Sequence, residues 1–159
     1  MHLQKDISTL INANKLSNLP PDLTWLNSRT RDSSFDLYIT CMVDDKRFVY
    51  GCIQTKTSIR DRVTRDREPS IEAMAKYFWS TAIVLNGEFL AMSKFINMVN
   101  GGGSFTGNGW HGMYVFSHKY ANGRIYSTNI KFDKFADHAV KAANFWREQR
   151  QWFNRNWAP

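Results

Sequence analysis

The alternation of hydrophobic and polar positions along the chain predicts both helices and strands. Two short apolar runs lie on either side of Asp44-Asp45-Lys46, which is typical of strands that pair as an antiparallel hairpin. Elsewhere, short apolar runs next to turn residues predict strands, and apolar residues at helical spacing predict helices. The predicted strands are 36–43, 47–56, 81–85, 113–116 and 124–127, and the predicted helices are 3–18, 58–67, 71–79, 89–99 and 133–156.

Proline and polar residues set the expected boundaries of these elements. Pro20-Pro21 is expected to end the first helix, with a short helical turn after it and a polar loop over residues 27–34. Ser58 is the expected N-cap of the helix that follows the second strand. The chain has no internal repeat and no linker long enough to separate two domains. It therefore predicts a single α/β domain over residues 1–159, with a mixed central sheet flanked by helices.

Polar side chains stand at the ends of the two hairpin strands. Asp36 opens the first strand, and Gln54 and Lys56 close the second. Alternate residues of a strand share a face, so Gln54 and Lys56 point the same way. A two-residue turn at Asp45-Lys46 would oppose Asp36 to Thr55, on the other face. The three side chains come together only if the loop has three residues or a strand carries a bulge.

These residue types suit hydrolysis of a phosphodiester. Mg²⁺ prefers oxygen ligands, which the Asp36 carboxylate, the Gln54 amide and the Thr55 main-chain carbonyl could supply. The metal would polarise the phosphate and lower the pKa of a bound water. Lys56 would orient that water and offset the charge that develops on the phosphate. The alternative is a hairpin whose exposed face carries these residues without any chemistry, and the short motif alone does not exclude it.

The charge balance favours a polyanionic partner. The formal net charge is +7, and Lys and Arg side chains drive association with nucleic acids by neutralising phosphates. Ser58, Arg60, Arg62 and Arg65 follow Lys56 directly and are the candidate DNA-binding residues. The alternative is a solvated helix in which aspartates four residues away neutralise these arginines.

The compartment is also indicated by the sequence. Cys41 and Cys52 are too few for a disulfide framework, and no Cys/His cluster has the spacing of a zinc site. The N-terminal segment lacks the apolar core of a signal peptide, and no window is long and apolar enough for a transmembrane span. We therefore expect a cytoplasmic protein without a membrane partner.

The residues around Lys56 resemble a known nuclease family. The chain resembles the core of the PD-(D/E)XK superfamily, and within it the type II restriction endonucleases. The resemblance rests on Asp36, on Gln54-Thr55-Lys56 and on the following Thr57-Ser58-x-Arg60-Asp61-Arg62. The resemblance covers about residues 34–68 and implies a restriction-endonuclease-like core. By resemblance, Asp36 binds the metal, Gln54 stands where an Asp or Glu is usual, and Lys56 is the catalytic lysine.

Because Gln54 is neutral, the implied site has one carboxylate fewer than usual. In this superfamily the opening helix often supplies another acid, and here the acids available are Asp6, Asp22 and Asp32. The resemblance implies a Mg²⁺-dependent endonuclease that cuts double-stranded DNA. Cutting both strands of a palindromic site calls for two active sites related by a two-fold axis, so we expect a homodimer. A junction-resolving or repair nuclease and a non-catalytic DNA-binding module are the alternatives.

Three further features have structural and functional interpretations. The glycine-rich stretch 101–109 is expected to be either a plain connection or a mobile loop that DNA orders. His111 is expected to be a loop histidine rather than a metal ligand. The aromatic and arginine residues of the C-terminal helix, among them Trp146 and Phe153, are expected in the core or a subunit contact rather than stacked on bases.

Overall fold

A six-stranded mixed sheet forms the centre of the protein. The computed structural model describes residues 1–58 and 63–159, and the side chains of these residues except at positions 58, 63 and 64. The strands, which lie side by side in chain order, are β1 His2–Leu3, β2 Leu37–Val43, β3 Lys46–Ser58, β4 Trp79–Asn86, β5 Gly112–Val115 and β6 Ile125–Ser127. Strands β1, β2 and β3 pair antiparallel, and β3 pairs parallel with β4, as do β4 with β5 and β5 with β6. The expected mixed α/β fold is thus confirmed.

Helices cover both faces of this sheet. They are α1 Gln4–Asn12, α2 Pro20–Asp32, α3 Val63–Ala75, α4 Ser93–Asn100 and α5 Asp133–Gln149, with 3₁₀ turns at Glu88–Ala91 and Arg150–Trp152. Ile7 of α1 and Leu26 of α2 pack with Tyr38 in the core on one face. Phe135 of α5 packs with Trp79 in the core on the other face. No helix in the described part of the chain has the length and apolarity needed to span a bilayer.

The N-terminal region differs most from the prediction. The helix expected over 3–18 ends at Asn12. A 13-residue helix then begins at Pro20 and continues through most of the expected loop 27–34. Proline is favoured in the first turn of a helix, because the N–H that it lacks would have no intrahelical partner there. The short helical turn expected after Pro20-Pro21 is thus the start of a full helix, and the loop expected over 27–34 is wrong for most of its length.

The rest of the chain also departs from the predicted boundaries. Helix α3 includes Pro69, which was expected to separate two helices, and Trp79, expected at the end of the second one, begins β4. Ser58, the expected N-cap, lies in β3. The strands expected on either side of Asn122-Gly123 are neighbours, but they run parallel as β5 and β6. The C-terminal helix ends at Gln149 rather than near residue 156.

The β2–β3 hairpin contains the register change on which the predicted site depends. Its turn is Asp44-Asp45, and both residues have positive φ (47° and 59°), as a type I′ hairpin turn requires. A bulge in β3, where Tyr50 is the extra residue between Val49 and Gly51, then shifts the register by one residue, so that Leu37 pairs with Ile53. One residue further from the turn, Asp36 lies opposite Gln54. The bulge thus has the effect that the predicted site required.

Candidate active site

Asp36 lies exposed just before β2, beside the end of β3. Its main-chain N–H donates to the carbonyl of Ile53 (3.0 Å), which extends the hairpin ladder by one bond. Its carboxylate Oδ2 accepts a hydrogen bond from the N–H of Thr55 (2.7 Å). Hydrogen bonds to an ionised acceptor are stronger than those between neutral groups. The carboxylate is therefore held beside the Thr55 peptide while its side chain faces solvent.

Gln54 is buried, with 1% of its surface exposed. Its amide nitrogen donates to the carbonyls of Ser34 (3.1 Å) and Asp66 (2.8 Å), and its amide oxygen accepts from the indole N–H of Trp110 (2.8 Å). One side chain thus joins β3 to three segments: the residues before Asp36, helix α3 and the residues before β5. This gives Gln54 a structural role, while the metal-binding role expected for it stays a prediction.

Lys56 lies two residues further along β3, on the same face as Gln54. Its ammonium group is 3.3 Å from a carboxylate oxygen of Asp66, and both side chains are partly exposed. Asp66 therefore contacts two of the predicted site residues, Lys56 through its side chain and Gln54 through its carbonyl. The sequence did not single out Asp66 as a site residue. Its only signal was a position in the basic helix ten residues after Lys56, and that does not reveal a tertiary contact.

The N-terminal acids that were considered for the site each have another partner. Asp6 accepts a hydrogen bond from the N–H of Leu3 (3.0 Å) and so caps α1. Asp22 forms an ion pair with Arg150. Asp32 pairs with the Arg29 guanidinium (3.0 Å) at the end of α2.

Two carboxylates lie at the end of β3, Asp36 beside the Thr55 N–H and Asp66 beside Lys56, and hard divalent cations take oxygen ligands. The main-chain carbonyl of Thr55 is a further oxygen in this region. No group of three or more His, Cys, Asp or Glu side chains is placed to hold a metal within residues 1–58 and 63–159. Mg²⁺ usually keeps several waters and uses only one or two carboxylates, so the donors present fit this ion.

The predicted DNA-binding segment is described only in part. Arg60 and Arg62 lie outside the described residues, and so does the side chain of Ser58. Arg65 is exposed in the first turn of α3. Its place on the helix that carries Asp66 is consistent with the predicted order, in which a basic helix follows the catalytic lysine.

The glycine-rich stretch 101–109 is tied to the protein by two arginines. Arg67 donates from Nε to the carbonyl of Met98 (3.1 Å) and from its terminal nitrogen to Gly107 (2.7 Å). Arg155 donates to the carbonyls of Asn108 and Thr106 (2.7 Å each). These hydrogen bonds connect the stretch to α3 and to the C-terminal segment, and its mobility stays a prediction.

His111 is a fully buried residue just before β5. The N–H of Ser80 donates to its Nδ1 (3.0 Å), so the ring proton is on Nε2 and donates to the carbonyl of Asn154 (2.9 Å). Burial lowers the pKa of His111 to about 3, and the charge of Arg124 acts in the same direction. Both ring nitrogens are occupied, which agrees with the expectation that His111 is not a metal ligand.

The aromatic residues of the C-terminal segment are divided between core and surface. Trp146 and Phe153 are buried against the sheet, as expected. Trp157 packs on Phe153, with ring centroids 5.0 Å apart. Trp152 is 63% exposed. The core interpretation is confirmed for the first two, and a subunit contact stays a prediction.

Comparisons with known proteins agree with this architecture. The family model described as BsaWI restriction endonuclease type 2 matches residues 21–152. A solved structure, described as a complex of pre-specific restriction endonuclease BsaWI with DNA, is 54% identical in sequence and superposes with a TM-score of 0.95. The match covers 99% of this chain but 58% of the BsaWI chain, so this chain spans little more than half the length of that relative. A comparison with curated protein sequences found no significant match.

The family match includes the hairpin, α3 and α5, and it reaches from the second residue of α2 to the end of the last 3₁₀ turn. It therefore contains every predicted site residue from Asp36 to Arg65. Membership of a restriction endonuclease family also suggests a requirement for a divalent metal. On the extent of the family match and on the identity to BsaWI, the chain belongs to the BsaWI type 2 restriction endonuclease family.

Proposed function

We propose that this chain forms the catalytic core of a type II restriction endonuclease of the PD-(D/E)XK superfamily, which hydrolyses phosphodiester bonds in double-stranded DNA. Family membership supports the reaction class, and the BsaWI relative is described in complex with DNA. The observation that carries the proposal is the register of the hairpin. It holds the Asp36 carboxylate 2.7 Å from the Thr55 N–H, beside the strand end that carries Lys56.

In this proposal Mg²⁺ is held by Asp36 and the Thr55 carbonyl, with the amide oxygen of Gln54 as a third donor. That oxygen already accepts the Trp110 N–H, so only its second lone pair is available to a metal. The metal supplies charge neutralisation on the phosphate and a lowered pKa for its bound water. The hairpin ladder fixes Asp36, and this would fix the metal and, through the metal, the phosphate.

Lys56 acts on the phosphate as a cation. Its ammonium group offsets the charge that develops on the non-bridging oxygens and orients the attacking water. Asp66 is included in the site as a positioning residue, since it fixes the ammonium at 3.3 Å in the free protein. Asp66 also places an acidic residue next to Gln54, whose amide donates to the Asp66 main-chain carbonyl, in a site where the resemblance implies that a carboxylate is missing.

The remaining expectations belong to the same proposal. Ser58, Arg60, Arg62 and Arg65 contact the DNA backbone as the chain leaves β3. The enzyme works as a homodimer, so that two equivalent sites cut the two strands. It works in the cytoplasm, which agrees with the free thiols of Cys41 and Cys52.

Cleavage of a supercoiled plasmid tests the function. With Mg²⁺ the protein should give discrete linear fragments, and chelation of the metal should stop the reaction. Asp36→Asn and Lys56→Ala should each reduce cleavage by a factor of about 100 or more, since a single group that stabilises the transition state contributes roughly 10²–10³ in rate. Cleavage of branched DNA alone would instead favour a junction-resolving enzyme.

The same hairpin offers matched controls for both variants. Asp45→Asn removes one carboxylate at the turn, where asparagine tolerates positive φ. Lys46→Ala removes one lysine from the other end of β3, ten residues from Lys56. Both controls should cut like the wild type. If Asp36→Asn and Lys56→Ala also cut at the wild-type rate, the catalytic assignment is wrong. If no DNA is cut under any condition, the chain is a binding module.

A further inference from the structure

Two clefts of different character open beside the predicted site. One, of about 570 Å³, reaches Thr55 and Lys56 and has a mostly apolar lining that includes Leu37, Ile83 and Phe135. The other, of about 660 Å³, opens on Asp36. Moving a phosphate out of water into apolar surroundings is costly. The second cleft has the more polar lining of the two, so a DNA strand that runs past Asp36 is favoured there over the first.

The cleft at Asp36 has a polar wall made by the start of α1. It is lined by Leu3, Gln4, Lys5, Ser8, Thr30 and Asp36. Lys5 is the one cation in this lining, and its side chain is exposed. None of the ion pairs found among the described side chains involves Lys5.

The position of this wall is fixed by short-range contacts. Strand β1 pairs with β2 immediately after Asp36, with Leu3 opposite Leu37. The side chain of Gln4 donates to the main-chain carbonyl of Thr30, which ties the start of α1 to the end of α2. Lys5 is the next residue, so its Cα cannot move far from the cleft.

Helical spacing explains which side chains face the cleft. Ile7 is fully buried, and Leu10 and Ile11 pack against the same core. Gln4 and Ser8 lie one turn apart at the edge of this apolar face, each three residues before a core residue, and Lys5 is further round the helix toward solvent. The apolar face thus anchors the helix, and the edge beside it lines the cleft with Asp36.

We propose that Lys5 binds a phosphate of the DNA strand next to the scissile phosphate, which lies at the metal site proposed for Asp36, and so positions the scissile bond. This inference rests on the proposed function. Lys5 is a positioning residue: it contacts the backbone and reads no base. Its removal should weaken DNA binding to a similar degree on all sequences and should lower cleavage efficiency.

The test measures the salt dependence of DNA binding, which does not depend on cleavage. A duplex oligonucleotide of arbitrary sequence is titrated with protein in buffer without divalent metal, over a range of salt concentrations. Loss of one phosphate contact reduces the slope of log K against log[salt] by about 0.9. Lys5→Gln should show this reduction, and Lys5→Arg should restore the slope. Lys15→Gln, at an exposed position beyond the far end of α1, removes the same charge and should leave the slope unchanged.

Cleavage by the same variants completes the experiment. Lys5→Gln should cut plasmid with a kcat/KM about tenfold or more below that of Lys15→Gln, the loss expected when a phosphate contact that positions the substrate is removed. Equal slopes for the two variants would overturn the role of Lys5, whether or not the enzyme cuts. If the wild type does not cut at all, the proposed function fails. The difference in salt slope between Lys5→Gln and Lys15→Gln still shows whether Lys5 contacts DNA.

Discussion

Replacing Gln54 by glutamate separates the two roles proposed for this residue. Comparison with the usual motif suggests that a glutamate at this position would restore a missing carboxylate and improve metal binding. The structure predicts a loss of folding stability, because the Gln54 amide nitrogen donates to the carbonyls of Ser34 and Asp66. An ionised glutamate has no N–H to donate, and it would place negative oxygens against both carbonyls.

The size of the effect follows from these contacts. Each buried acceptor that loses its partner costs about 1–3 kcal/mol, so the two carbonyls together cost about 2–6 kcal/mol. For a chain of this length that lowers the Tm by roughly 5–20 °C. Only the hydrogen bond from Trp110 is kept by the new carboxylate. Because protonation of the introduced glutamate would restore one donor, the loss of stability should be smaller at pH 5 than at pH 8.

Urea unfolding of wild type and Gln54→Glu at these two pH values measures the effect. Gln54→Met is the matched control, since it removes the same donors without adding a charge, and its deficit should not depend on pH. The metal role is tested by the Mg²⁺ concentration that gives half-maximal cleavage. If Gln54→Glu is as stable as the wild type and cuts at a lower Mg²⁺ concentration, the structural interpretation of Gln54 is wrong.

Other residues give further predictions. His111 has a folded-state pKa of about 3 against 6.5 when unfolded. The unfolded chain therefore binds a proton first, and stability falls by about 1.4 kcal/mol per pH unit as pH drops from about 6.5 toward 3. Urea titrations at pH 7 and 5 should show a shallower loss for His111→Gln; an equal loss would contradict the assignment. Arg155→Ala removes two hydrogen bonds to carbonyls of residues 106–108, so amide exchange there should speed up while exchange in β2 stays unchanged. Asp66→Asn should cost at most about 1 kcal/mol of stability, because the ion pair with Lys56 is partly exposed. Its cleavage rate should nevertheless fall well below that of Glu72→Gln, a control on the same helix.

The sequence predicted those parts of the fold that depend on local patterns. Strands β2, β3 and β4 are long enough for their apolar runs to stand out, and the turn residues Asp44-Asp45 mark the hairpin. Strand β1 has only two residues, too few for any alternation, and its existence depends on pairing with β2. Helix α2 was predicted only as a short turn, because its second half is polar in sequence and its length depends on the packing of residues such as Leu26 into the core.

The site was predictable to the extent that a strand fixes the direction of its side chains. Alternation on β3 placed Gln54 and Lys56 on one face, and one bulge was enough to bring Asp36 opposite Gln54. Burial of Gln54 could not be foreseen, because it depends on Trp110, which is 56 residues away in the chain. Asp66 was missed for the same reason: its partners are set by how α3 packs on the sheet.

The number of basic residues does not equal the number of DNA contacts, because several arginines stabilise the fold. Arg67, Arg124 and Arg155 each donate hydrogen bonds to main-chain carbonyls, and their main effect is to fix the loop before β5 and the C-terminal segment. A carbonyl satisfies the N–H groups of a guanidinium but does not neutralise its charge, as a carboxylate would. These arginines therefore still contribute to the positive field that attracts DNA from a distance. The net charge predicts the kind of partner, and the hydrogen bonds show that Arg67, Arg124 and Arg155 also have a structural role.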